Sequence, residues 1–567
     1  MNPDDDLNPT QWAAVVALLL MLLVPVAVAL AAFFKRRYAA AIVRLQASTA
    51  AAGEAPALPS SSGGATPEAL HIDVVPAREA AAQHGPDPTA PSRRLRRRVL
   101  GWQFASGLLY WWALLLCLLI ALVHLAQVTG EAVETSDDGA TIGGHLFLWP
   151  LLVLPAALAW ALQAGLRESR LWSLAALTMA LFGLGIVDLG AGWAGGGALL
   201  AVCVMLTLMM VAFMRPAVRG AGPPLVAALT VGLIVFSVLL ALLVALDDSG
   251  ADAPVAGADI ALALLAIALL GLPSGWAAWR MLMRLARRYE ARRFSEMQLA
   301  LGAYWALITV FTAGFALLLS FEGRTGASME WVALAIALLW IGWRWAQRGV
   351  LRLVQRRSPA PLGALLMLRV FKPSNRSEGF TDRFLARWRF AAPVWMIAGP
   401  DLAGAYMEPD EFFAYLRGHL RERFIARPDD VDARTAGLDD RRDPDGRFRV
   451  HELFCANSSW RHAVLALIDR AGVVLLDLRE YSRHRAGTRF ELETLLRRGK
   501  LDRLVVIADE RDHLPSLEHE LRAVWSEVAP PGAGGRLRLL TLGSGSDAEM
   551  QGLFRAVAAA ATTNPTR

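Results

Sequence analysis

Residues 259–293 read DIALALLAIALLGLPSGWAAWRMLMRLARRYEARR. An aspartate opens the stretch and an apolar run over 260–281 follows, interrupted only near its end by Arg280. Arg284, Arg287, Arg288, Arg292 and Arg293 then crowd together. A helix that crosses a bilayer needs about 20 mainly apolar residues, and a helix is favoured there because its backbone hydrogen bonds close internally. The stretch therefore predicts a membrane span with an acidic end and a basic end, kinked at Pro273.

Eight further runs have the same character, at 11–34, 102–127, 145–166, 171–190, 198–214, 225–246, 299–320 and 331–345. Their loops alternate in charge. Lys35, Arg36 and Arg37 follow the first run, and Arg93 to Arg98 precede the second. Glu131, Glu134, Asp137 and Asp138 come next, then Arg167 and Arg170, then a glycine turn, then Arg215 and Arg219. Asp247, Asp248 and Asp252 precede the quoted stretch, and Arg344, Arg348, Arg352, Arg356 and Arg357 close the series. Basic loops remain cytoplasmic. Nine spans in this pattern put the amino terminus outside and the carboxyl terminus inside, as in a multi-pass protein of a bacterial inner membrane.

Composition agrees with that reading. The 567 residues are 55% hydrophobic, with a mean hydropathy of +0.39. Trp102, Trp149, Trp276 and Trp331, among 19 tryptophans, stand near span ends, where aromatic rings favour the interface. The net charge of +6 is concentrated in juxtamembrane loops, so lipid headgroups rather than nucleic acid are the expected partner. Three cysteines make no disulfide framework. Within the spans the ionisable groups are few: Asp188 and His124, both read as interfacial.

The expected organisation is an anchor helix over 1–46, a flexible cytoplasmic linker over 47–98 rich in Ala, Pro, Ser and Gly, and an eight-span bundle over 99–346. A basic juxtamembrane linker over 347–361 then leads to a cytoplasmic domain over 362–567. In that last part, strand-like runs at 365–371, 393–398, 450–454, 473–478, 504–508 and 537–542 alternate with helical runs at 380–388, 409–424, 460–470, 490–498, 517–525 and 548–561. Alternation with near-continuous apolar strands predicts a three-layer α/β domain with a parallel sheet. Ligands of such sheets bind beyond the carboxyl ends of the strands.

That rule selects the candidate residues. Arg369, Lys372, Asn375 and Arg376 follow the first strand and read either as a solvated loop or as a place where an anionic ligand docks against the next helix. Asp477 and Ser482 lie at and after the end of the strand at 473–478, and Glu491 and Glu493 open the next helix. Their structural role would be charge compensation at a helix start. As a cleft acid, only one of the two glutamates can serve, because two-residue spacing puts them on different helix faces. Gly543-Ser544-Gly545-Ser546, at a strand-to-helix junction, reads either as a common helix entry or as a turn that cradles phosphate. His451, Glu452 and Cys455 match no zinc spacing, and Ser458, Ser459 and His462 lack a nucleophile elbow. No metal is expected.

The succession of apolar helix, apolar strand, Ser-containing loop and Phe490-Glu491-Leu492 is similar to the latter half of Toll/interleukin-1 receptor (TIR) domains. The earlier strand, helix and strand at 365–398 fit the first half in order. The whole resembles bacterial membrane proteins in which a TIR-like domain follows a bundle of spans. The resemblance implies a flavodoxin-like sheet, self-assembly into homo-oligomers, and NAD or another nucleotide as ligand or substrate. In enzymatic members a glutamate in this Glu-Leu position supports cleavage of NAD between nicotinamide and ribose, and here it falls on Glu491. Gly487 replaces the tryptophan usual four residues earlier, Thr488 replaces a cysteine, and no Pro-Gly loop is recognisable at 399–408. The expected function is signalling or stress defence by assembly or nucleotide binding. NAD hydrolysis through Glu491 is the alternative, and a transporter with a regulatory domain is a third class.

Overall fold

The computed structural model describes residues 9–49, 68–80, 87–129, 142–165, parts of 169–180, 193–247, 257–320, 328–369, 375–398, 407–479, 481, 486–510, 514–529, 534–543 and 545–562. They form two compact units, each assembled from separate pieces of chain. The first comprises Met1–Arg36, Leu100–Arg352 and Tyr406–Arg417; the second comprises Arg37–Val99, Leu353–Ala405 and Gly418–Arg567.

The first unit is helical. Eight of the nine apolar runs coincide with long helices: α1 (Pro9–Thr49), α3 (Ala90–Thr129), α4 (Ile142–Ala164), α5 (Trp193–Met214), α7 (Gly222–Asp247), α8 (Gly257–Glu290), α9 (Glu296–Ser320) and α10 (Ser328–Arg356). A short α6 (Pro216–Arg219) joins α5 to α7. The run at 171–190, with Asp188, lies mostly outside the described residues. By length and composition, 3 helices among the described residues can cross a membrane, over Ala90–Ala121, Gly222–Leu240 and Glu296–Gly314. Large apolar side chains remain on the surface, such as Leu272 at 73% and Trp345 at 72% exposed, more than a water-facing helix tolerates. The interior is aromatic. Tyr110 stacks on Trp343 at 4.5 Å between ring centres and meets Trp305 edge-on at 5.6 Å, while its hydroxyl bonds Thr309 Oγ1 at 2.7 Å.

The piece Tyr406–Arg417 brings α12 (Pro409–Leu416) into this unit. Its entry is a capping box between Glu408 and Glu411. Phe413 packs on Tyr289 near the end of α8, Phe412 on Phe34, and Arg417 pairs with Glu290.

The second unit holds an eight-stranded, wholly parallel sheet. The strands are β1 (Leu70–Pro76), β2 (Leu365–Arg369), β3 (Val394–Ala398), β4 (Phe424–Ile425), β5 (Val450–Cys455), β6 (Val473–Asp477), β7 (Leu504–Asp509) and β8 (Gly535–Leu542), in spatial order β1-β8-β7-β6-β2-β3-β5-β4. One face is covered by α14 (Trp460–Arg470), α15 (Ala486–Arg497) and α16 (Leu514–Val528). The other is covered by α2 (Ala77–Ala80), α11 (Asn375–Trp388) and α17 (Asp547–Thr562). A short α13 (Val431–Ala436) adds Val431 to the first face.

The expected parallel sheet between helix layers is present, and two expectations need correction. The first is the strand order. Setting aside β1 and the two-residue β4 at the edges, the central strands run β5-β3-β2-β6-β7-β8. Renumbered along the chain, this is 3-2-1-4-5-6, the order of dinucleotide-binding doubly wound sheets, and not the flavodoxin-like 2-1-3-4-5. The difference arises because β2 is followed outward by both β3 and β5 before the chain reverses. The second is the linker. Residues 70–80, expected to be flexible, form β1 and α2. β1 pairs with β8 over seven residues, from Leu70 opposite Gly535 to Pro76 opposite Thr541. Leu70 and Ile72 are buried while His71 and Asp73 are exposed, the period-2 pattern of a strand, and Pro76 is tolerated at an edge. The indole of Trp525 donates to the Glu68 carbonyl at 2.8 Å, and Arg93 and Arg555 both pair with Asp87.

Candidate functional site at the reversal of strand order

The sheet reverses direction between β2 and β6. From β2 the chain winds toward β5 and then returns by α14 to β6 on the other side of β2. The helices after β2 and β6 therefore leave on opposite faces, the arrangement that in doubly wound sheets puts ligand sites outside the carboxyl ends of the two strands. At the opposite, amino-terminal end of the same two strands the backbones approach closely. Gly363, before β2, and Gly472, before β6, pass so near that a Cβ on Gly472 would lie 2.5 Å from Gly363 Cα.

Arg369 ends β2 and stands in register with Asp477, which ends β6. Leu365 and Met367 of β2, and Val473 and Leu475 of β6, belong to the core under α11 and α17. By alternation, Arg369 and Asp477 face the same layer. Both are buried, at 8% and 5% exposure. Arg479, also buried, grips Asp477 bidentately, with Nε at 2.9 Å from Oδ1 and Nη2 at 2.5 Å from Oδ2. Its guanidinium lies 4.8 Å from the ring centre of Phe380 on α11. From the same helix Arg383 donates to the Gly545 carbonyl at 3.0 Å. Arg369, Asp477 and Arg479 thus put three buried charged groups at this end of the sheet.

The glycine-serine turn is already occupied. Glu549 Oε2 accepts the backbone N–H of Gly545 at 2.6 Å and of Ser546 at 3.2 Å, and the Ser546 hydroxyl accepts the Glu549 N–H at 3.3 Å. This is a reciprocal capping box at the start of α17. The turn's donors hold the protein's own carboxylate, as at an ordinary helix entry.

Glu491 lies elsewhere. It is the sixth residue of α15, with no acidic residue in that helix's first turn, so it compensates no helix start. Glu493 instead pairs with Arg489 one turn away, at 2.7 Å. α15 packs on the opposite face of the sheet from α11, with Phe490, Leu492, Leu495 and Leu496 in the other core. Glu491 shares its helix face with Thr488 and Leu495 and is 2% exposed. Its Oε2 and the Thr488 Oγ1 are buried without a hydrogen-bond partner. Burial alone pushes its carboxyl up from an ordinary 4.5 to about 8, so it is protonated at neutral pH.

Of the residues read from the sequence, the carboxyl ends of β2 and β6 bring together Arg369 and Asp477, with Asn375 as the first residue of the neighbouring α11. Lys372 and Ser482 lie outside the described residues. Arg479, Phe380 and Arg383 were missed. Arg479 was legible only as the second residue after a strand end, a weak signal among many loop arginines. His451 on β5 makes a 3.0 Å contact through Nε2 with the Asp439 carbonyl, and Ser459 donates to the Ile425 carbonyl at 2.6 Å. Cys455 is a buried thiol pushed up to about 12 by burial. Comparison with known proteins finds no family model, no curated protein and no solved structure that matches the chain.

Proposed function

We propose that this is a polytopic membrane protein, with nine spans and a cytoplasmic carboxyl terminus, whose doubly wound α/β unit binds a nucleotide at the β2–β6 crevice. Binding there serves a signalling or stress-response role. One observation carries the reading: the strand order reverses between β2 and β6, where buried Arg369, Asp477 and Arg479 converge. The charge alternation of the loops supports the orientation. In the binding reaction the arginines take the ligand's phosphate through charge-assisted hydrogen bonds, and Asp477 holds Arg479 in place.

The experiment is thermal unfolding and calorimetric titration of the purified full-length protein with NAD, ATP and AMP. A ligand at a hundred times its dissociation constant stabilises by about 2.7 kcal/mol, a clear upward shift. Arg369→Gln, which removes one charge-assisted contact of about 1.5–3 kcal/mol, weakens binding by at least tenfold. Absence of binding by every nucleotide, or unchanged affinity in Arg369→Gln, refutes the site.

A second reading, NAD hydrolysis through Glu491, is favoured by one observation, the buried and unpartnered Oε2. It predicts release of nicotinamide that Glu491→Gln abolishes. Nucleotide binding without turnover decides for the first reading.

A further inference from the structure

We infer that the outer edge of β1 is an interface between two copies of this chain, joined by antiparallel pairing of β1 with its counterpart so that the two sheets become one. β1 stands at one end of the strand order, with β8 on its inner side and no strand on its outer side among the described residues. Its seven residues make no backbone hydrogen bond beyond the ladder with β8 among those residues. The N–H and C=O groups that point away from β8 form a template on which another strand pairs. The two edges of the sheet are not alike. At the other end β4 has two residues, and a very short strand is one of the ways in which proteins close an edge. β1 has no lysine, no arginine and no bulge in its register with β8, and its proline comes only at the last position.

The sequence of the strand selects both partner and register. Leu70, Ile72 and Val74 belong to the core under α14, α15 and α16, while His71 and Asp73 are exposed on the other face. Opposed residues of an antiparallel pair share a face, so a second strand keeps its apolar side chains over the core only when even-numbered residues meet even-numbered ones. Centred on His71, such a pairing opposes two histidines; centred on Asp73, it opposes two aspartates. Centred on Ile72, it sets Leu70 against the partner's Val74, Ile72 against its own copy and His71 against the partner's Asp73, and the two-fold repeats each contact. Across the strands an imidazole N–H then donates to a carboxylate, a pair of the kind that stabilises a sheet. The stretch Leu70-His71-Ile72-Asp73-Val74 is thus complementary to itself read backwards, which points to a second copy rather than an unrelated strand. The contact is isologous and closes at two copies.

The test is cysteine cross-linking of the full-length protein. His71→Cys and Asp73→Cys variants carrying different tags are co-expressed, and the cell lysate is oxidised with copper phenanthroline. Opposed Cα atoms of an antiparallel pair stand about 4.5–5.5 Å apart, within disulfide reach, whereas like positions in this register lie beyond its limit of about 7 Å. The two variants together give a mixed disulfide dimer. Either variant alone gives no more than the parent, whose Cys117, Cys203 and Cys455 set the background. Sedimentation of the purified full-length protein in detergent supplies the second readout. His71→Asp sets like charges opposite each other twice and weakens dimerisation about tenfold. His71→Asp combined with Asp73→His exchanges the charges and restores it, and both positions are exposed, so the melting temperature of the monomer stays unchanged. Absence of the mixed disulfide, or equal cross-linking by His71→Cys alone, overturns the pairing. A protein that remains monomeric at micromolar concentration, or a double variant as weak as the single one, overturns the interface.

Discussion

Replacing Glu491 by Gln separates a buried structural acid from a cleft acid. In the folded protein the carboxyl holds its proton to about 8, while in the unfolded chain it ionises near 4.5. The folded state therefore binds more protons between these values, and stability falls as pH rises from about 4.5 to about 8. Each pH unit of the difference is worth about 1.36 kcal/mol. The loss across the window is then on the order of 5 kcal/mol, as an upper figure. Glutamine keeps the shape and cannot ionise. The variant and its parent should unfold at similar denaturant concentrations near pH 5 and diverge as pH rises, with the variant the more stable by several kcal/mol at pH 8. Guanidinium titrations monitored by circular dichroism from pH 5 to 9 measure this directly. Asp469 does not interfere. Burial pushes its carboxyl up, but Arg498 and Lys500 outweigh that and hold it below 3.8, so its contribution is lost only in acid. A parent whose stability is flat or rises between pH 5 and 8 would refute the reasoning, as would a variant less stable than its parent at pH 8.

Deleting residues 66–80 should strip β1 from the sheet edge. Leu70 and Ile72 are buried, at 3% and 7% exposure, and each is worth about 1.5–3 kcal/mol, so a soluble form starting at residue 353 should aggregate or melt well below one that carries 66–99 fused ahead of it. Asp477→Ala should cost about 3–5 kcal/mol by leaving Arg479 buried and uncompensated, and Asp477→Ala with Arg479→Met should recover most of that loss in denaturant unfolding. The Cys455 thiol, 6% exposed, should resist disulfide reagents at pH 8 in the folded soluble unit and react only on unfolding. Fast labelling in the native state would show that β5 opens.

Strands and helices with strong local patterns were legible in the sequence. The apolar run at 473–478 appears as β6 and the helical run at 460–470 as α14, because buried parallel strands are apolar throughout. β1 was hidden by its surroundings. LHIDVVP carries only a short alternation within an alanine- and proline-rich tract, and nothing local reveals that its partner lies more than 450 positions away. The polar tract before β5 shows a different limit of composition. Asp443 and Arg449 are paired at 3.0 Å, the aspartate at 0% side-chain exposure, so charged residues of a polar tract are folded inward. Composition cannot register that, because the cost of burial is offset by a partner six residues away.

The candidate site divides for a related reason. Asp477 and Glu491 are near in sequence, and strand-end logic assigns both to one crevice. The side-chain direction of Asp477 is fixed by strand alternation, which points it at the α11 layer with Arg369. The chain then leaves β6 for the opposite layer, because a right-handed crossover running away from β2 puts its helix on the face that α11 does not occupy. Glu491 travels with that helix. Proximity in sequence across a strand end therefore carries little weight until the direction of winding is known, and here the direction is set by the reversal between β2 and β6. Arg369, Asp477 and Arg479 are consequently the residues to test for ligand contact, and Glu491 the residue to test for pH-dependent stability.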